Sequence, residues 1–143
     1  MARNYYISKE KITGDKGLKG VINKITQEEW ETAVDANPYW SWFYDTDEGQ
    51  KSFEFQKRLC EEDGVILEKT KSIISADYDS KNGYHKFLVE FRTELGYIAL
   101  STWTKQTKRY MQELYKLSQA IPGAMLLRGY TKLVTQDDID QLK

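Results

Sequence analysis

Residues 65 to 103 read as four strand-like runs, VILEKT, SIISADY, YHKFLVEFRT and YIALSTW, with DSKNG and ELG as the turns between the last three. β-Branched and aromatic side chains suit a pleated, half-buried surface, and Asn82-Gly83 tolerates the positive φ that a tight hairpin demands. The segment therefore predicts an antiparallel meander over about residues 73–103. In its third run His85, Phe87, Val89 and Phe91 alternate with Tyr84, Lys86, Leu88, Glu90 and Arg92. One face of the sheet is then packed and the other mostly wet.

Helices must supply the packing for that face, and the clearest one is written in ITQEEWETAVDANP. Thr26 as N-cap with Glu29 three residues on forms a capping box, and Ile25 with Trp30 is spaced as a hydrophobic staple. A helix starts at Gln27 and buries Trp30, Ala33 and Val34, while Glu28, Glu31 and Asp35 look outward and Asn37-Pro38 stops it. A second helix is expected after Thr104, with Met111, Leu114, Leu117, Ser118 and Ile121 as an inward stripe, Tyr110 beside it, and Pro122-Gly123 at its end. KSFEFQKRLCEED at 51–63 fits a helix through Phe55 and Leu59 and a strand through Phe53 and Phe55. A helix closed by Gly64 is preferred.

Shorter elements fill the ends. NYYIS at 4–8 predicts a first strand, TGDKGLKG at 13–20 a mobile glycine loop, and AMLLRGYTKLVT a last strand bent or bulged at Gly129. Thr135 and Asp138 cap a short terminal helix carrying Ile139 and Leu142. The expectation is a single α+β domain spanning 1–143, a mainly antiparallel sheet with helices packed on one face.

Charge and composition exclude several partners. Twenty-one basic residues nearly cancel twenty-two acidic ones, leaving a net charge of -1 and no bulk attraction to phosphate backbones or anionic lipid. We therefore expect no nucleic-acid and no membrane partner. Cys60 is the only cysteine, which removes an internal disulfide, a CxxC pair and a cysteine zinc knuckle. No stretch approaches a membrane span and MARNYYISKEK has no apolar core of the signal-peptide kind, so the chain reads as cytoplasmic.

Catalytic chemistry finds few residues to use. His85 is the sole histidine and sits mid-strand, where a backbone-bonded role suits it, and no serine occupies a GxSxG elbow. The carboxylates cluster at turns and helix ends, where solvation and capping account for them. DTDEG begins like a calcium loop but lacks the glutamate expected at its twelfth position. The chain is accordingly expected not to be an enzyme and to carry no cofactor or metal. If it were an enzyme or a small ligand-binding domain, His85 and Asp77 would be its acid and base pair.

The remaining positive feature is NPYWSWFYDTDEGQ at 37–50, in which five of the six residues from Tyr39 to Tyr44 are aromatic and an acidic tip follows. Read as a strand, it points Trp40, Trp42 and Tyr44 one way and Tyr39 and Phe43 the other. One aromatic set then lies partly exposed beside acidic residues, the composition of a protein-binding hot spot. Tyr39, Trp40, Trp42, Asp45, Asp47 and Glu48 are the expected partner contacts. A homodimer partner could cover the same face.

YYISKEK followed by ITQEEWETAVDANP resembles a loose group of small bacterial proteins that open with a short aromatic strand and an IT-x-EEW helix ending near a proline. Many of these accompany secreted toxins as immunity proteins. The likeness covers about the first 40 residues and, more faintly, the late helix, strand and TQDDID end. GDKGLKG and the aromatic run have no counterpart in it, and it assigns no functional residue. It implies an inhibitor that binds one cognate toxin and occludes its active site.

Overall fold

The computed structural model describes residues 3–64, 72–76, 89–92, 95–102 and 108–142. VILEKT, the Asn82-Gly83 turn, Asp77, His85 and Thr104 lie outside the described residues.

The first strand, β1 (Arg3–Ser8), lies in the middle of the sheet between the meander and a C-terminal hairpin. The meander strands are β3 (Ser72–Ser75), β4 (Val89–Arg92) and β5 (Tyr97–Thr102), preceded at the edge by the short β2 (Trp40–Trp42). The hairpin is β6 (Met125–Arg128) and β7 (Lys132–Leu133). Among the described residues these strands form one sheet in the order β2-β3-β4-β5-β1-β6-β7, with each neighbouring pair antiparallel. The single bent strand expected from AMLLRGYTKLVT is thus two strands. Gly129, at φ 64°, turns the chain back instead of bulging it.

The helices are α1 (Lys16–Lys19), α2 (Gln27–Asp35), α3 (Asp47–Glu62), α4 (Lys108–Gln119) and α5 (Gln136–Asp140). Both capping boxes form as their sequences dictate: Thr26 and Glu29 at the start of α2, Thr135 and Asp138 at the start of α5. α2, α4 and α5 cover one face of the sheet. Trp30, Tyr110, Leu114, Leu117 and Ile139 meet Tyr5, Ile7, Ile98 and Leu126 there in one buried cluster. Each such side chain contributes roughly 1.5–3 kcal/mol when fully removed from water, so this face carries most of the stabilisation. Ser118 enters the stripe at no unpaired cost because its hydroxyl donates to the Tyr115 carbonyl at 2.6 Å.

The opposite face is not left wet across β5, β1 and β6. Residues 9–25, including the glycine segment expected to be a mobile loop, cross it as a strap. Ile12 and Val21 are each only 2% exposed and pack with Tyr97 and Leu127, with Tyr6 and Ala99 at the margin. Polar contacts pin the strap at several points. The Tyr97 hydroxyl donates to the Gly17 carbonyl at 2.9 Å, Ile12 N donates to Tyr130 O at 2.9 Å, and Val21 N donates to Leu95 O at 3.0 Å. Glu10 accepts from Lys16 Nζ and from Asn23 N, each at 2.6 Å, and these bonds hold its carboxyl below its ordinary pKa.

Candidate functional site

The aromatic run begins where α2 ends. Asn37 accepts from the backbone of Tyr39 at 3.0 Å through its side-chain oxygen and donates from its amide to Glu113 Oε2 on α4 at 3.2 Å. This Asx turn re-aims the chain after Pro38 and drops Tyr39 and Trp40 into the helix-side core. They are 6% and 4% exposed. The Trp40 ring sits edge-on to Tyr110 at 5.7 Å, and the Arg109 guanidinium lies over the Tyr39 ring at 5.1 Å. Both residues anchor the fold and have little surface left for a partner, contrary to their place among the expected contacts.

Alternation along the run also fails, for a local reason. β2 is three residues long, and Phe43–Asp45 coil at once into a 3-10 turn, so no continuous strand exists to sort Tyr39 to Tyr44 onto two faces. Trp42 is half-buried, packed edge-on to Trp30 at 6.1 Å, and donates from Nε1 to Asp35 Oδ1 at 2.9 Å. Phe43 is buried, and Tyr44 is half-buried against Phe53 at 5.4 Å. Asp45 and Asp47 are exposed, while Glu48 falls in the first turn of α3.

The acidic tip is in fact a helix start. Thr46 caps α3 by accepting from Gly49 N at 3.0 Å and donates back to the Phe43 carbonyl at 2.6 Å. Gly49 is required at this junction, since a Cβ there would overlap the Phe43 carbonyl. Asp47 in the first turn also suits the positive end of the helix dipole. The calcium-like beginning of DTDEG is therefore explained by capping. Among the described residues no group of three or more histidine, cysteine, aspartate or glutamate side chains is placed to hold a metal ion.

From this corner α3 runs for 16 residues with two distinct sides. Gly49, Phe53 and Cys60 turn toward the protein and are buried or half-buried. Phe55 and Leu59, one turn apart, stand 62% and 48% exposed. Next to them Asp47, Gln50, Lys51, Glu54 and Arg58 line a shallow polar hollow of about 380 Å³. Phe55 and Leu59 thus form a small apolar pair framed by mixed charge.

The structure thus keeps three of the expected contact residues accessible in whole or part, Trp42, Asp45 and Asp47, and sets them at the root of α3. Phe55 and Leu59 were visible in the sequence only as evidence of helical periodicity, because their exposure depends on which side of α3 faces the sheet. The alternative acid and base pair, His85 and Asp77, lies outside the described residues. No helix among the described residues is long and apolar enough to cross a membrane. No family model, curated protein or solved structure matches the chain.

Proposed function

We propose that this chain is a protein-binding module of the immunity type, which neutralises a cognate bacterial toxin in the cytoplasm by covering the toxin's active site, and that it has no catalysis of its own. One observation carries this reading: Phe55 and Leu59 are held in solvent on the outer side of a long, capped helix whose root bears the exposed Asp45 and Asp47. Covering a Phe and a Leu side chain by a partner removes apolar area that the chain itself leaves wet, worth roughly 1.5–3 kcal/mol per side chain if the burial is complete. Asp45 and Asp47 add a local negative potential that speeds encounter with a basic surface, such as that of a nucleic-acid-cleaving toxin. The likeness of the first 40 residues to immunity proteins points the same way.

The test is co-expression with the product of a secreted-toxin gene found beside the gene for this chain. Cells carrying both should survive, and association measured at low and high salt should slow by about tenfold or more when Asp45→Ala and Asp47→Ala are combined. Death of cells expressing both, or an association rate indifferent to the double substitution, would contradict the respective parts of the proposal. A dimer of the isolated chain that buries Leu59 would assign the face to a twin subunit instead.

A further inference from the structure

A second concavity lies at the far end of the sheet, where β7 and α5 meet β1 and α4. Its floor is apolar and buried: Tyr5, Met111, Val134 and Ile139. Leu133 and Leu142, both exposed, extend the apolar surface outward. The cavity measures about 190 Å³. That is below the roughly 300–1,000 Å³ of sites that enclose drug-sized ligands, and it is room for one compact hydrocarbon group.

The mouth is cationic. Arg128 on β6 and Lys132 on β7 are direct partners across the hairpin, and both line the cavity. Directly opposed like charges oppose strand pairing, so this placement is not one that hairpin stability selects. Beyond its backbone pairing in β6, the Arg128 side chain makes no hydrogen bond or ion pair among the described residues. The rim also carries one carboxylate, Asp138, whose charge lies near Lys132 and whose Oδ2 accepts from Thr135 N at 2.9 Å and from Thr135 Oγ1 at 3.0 Å, so the two cations still outnumber it. A planar guanidinium with open donors beside a lysine ammonium suits a carboxylate, which can accept two bonds from arginine.

We propose that this cleft binds an apolar carboxylate, its hydrocarbon resting on Met111, Val134 and Ile139 and its carboxylate held between Arg128 and Lys132. The chemistry is shared by two sources, a free branched-chain acid and the C-terminal leucine or similar residue of a polypeptide. The inference stands apart from the toxin reading and uses none of its residues.

The experiment is an amide-resolved NMR titration of the full chain with four probes: 4-methylpentanoate, 4-methylpentanamide, N-acetyl-glycyl-leucine and its C-terminal amide. The acids should move the amides of Leu133, Val134 and Ile139 with a Kd on the order of 1 mM, in keeping with the efficiency of fragments of this size. Each neutral amide should bind about tenfold weaker or less, Arg128→Gln should weaken the acids by a similar factor, and Arg128→Lys should restore part of the loss. Tighter binding of the acetyl dipeptide than of the free acid assigns the site to a polypeptide C-terminus; equal or weaker binding assigns it to the free acid. Arg128 is exposed, so the variants should keep the parent's unfolding midpoint, which is measured alongside. No shifts at about ten times the expected Kd, equal response to acid and amide, or full binding by a folded Arg128→Gln protein would overturn the proposal.

Discussion

α4 and α3 are both amphipathic, yet they end in different circumstances. α4 lays Tyr110, Met111, Leu114 and Leu117 against the sheet, whereas α3 turns Gly49, Phe53 and Cys60 inward and leaves Phe55 and Leu59 in water. An apolar stripe tells that a helix face is suited to being covered; it does not tell by what. For α4 the cover is the chain's own sheet, whose interior strand β1 offers Tyr5 and Ile7. For the outer side of α3 the proposed cover is a partner protein.

That contrast can be broken by substitution. Leu114→Ala should cost about 2–5 kcal/mol, because it leaves a cavity among residues that cannot collapse into it. Urea unfolding followed by tryptophan fluorescence measures it, and a loss under about 1 kcal/mol would mean the α4 interface is far looser than described. At the root of α3, Gly49→Ala should cost about 1–3 kcal/mol by forcing its Cβ against the Phe43 carbonyl. The same unfolding experiment should find Gly49→Ser at least as damaging, and neutrality of both would dissolve the 3-10 to α3 junction.

A smaller effect of opposite sign is expected in the core beside β2. Ser75 Oγ and Trp40 Nε1 belong to cross-strand partners and are both buried without a hydrogen-bond partner among the described residues. Removing an orphaned hydroxyl relieves its desolvation cost, so Ser75→Ala should stabilise by about 1 kcal/mol and raise the unfolding midpoint. A loss of stability instead would reveal a partner for that hydroxyl.

Acid sharpens the comparison further. Lys9 Nζ donates to both oxygens of Glu29 at 2.9 and 2.8 Å, and Lys16 grips Glu10, so both carboxyls titrate below their ordinary value of 4.5. A lowered folded pKa gives stability that is present above the unfolded value and is lost as pH falls through the folded one. Both groups are close to solvent, which keeps the effect modest. Hydrogen-exchange protection of strap residues 9–25, taken relative to the intrinsic rate at each pH, should therefore fall below pH 4.5 before that of α4 does. Lys9→Met should remove part of that acid sensitivity, and an unchanged profile would exclude the Glu29 pair as its source.

Local chemistry made much of this fold legible. The capping boxes at Thr26 and Thr135 need only residues three apart, and the α4 stripe repeats often enough to be read without knowing its partner. The strap was not legible because Ile12 and Val21 stand among lysines and glycines with no period that separates them from the exposed Leu18 and Ile22. The burial of Tyr39 and Trp40 is hard to read from the sequence for a related reason. Aromatic content suggested a strand, but Thr46 and Gly49 end it by starting a helix, and that signal lies in the residues read as an acidic tip. The outer pair on α3 needed the tertiary structure, since the stripe of residues 51–63 alone does not reveal which part stays wet.

The most direct test of the binding account replaces the α3 pair and nothing else. Phe55→Ser with Leu59→Ser should change unfolding stability by no more than about 0.5 kcal/mol per site, as expected for exposed positions. Affinity for the proposed cognate toxin, measured by calorimetry, should fall by at least about 2 kcal/mol, or roughly thirtyfold in Kd, with protection of co-expressing cells lost. A folded double variant that binds and protects as well as the parent would contradict the account.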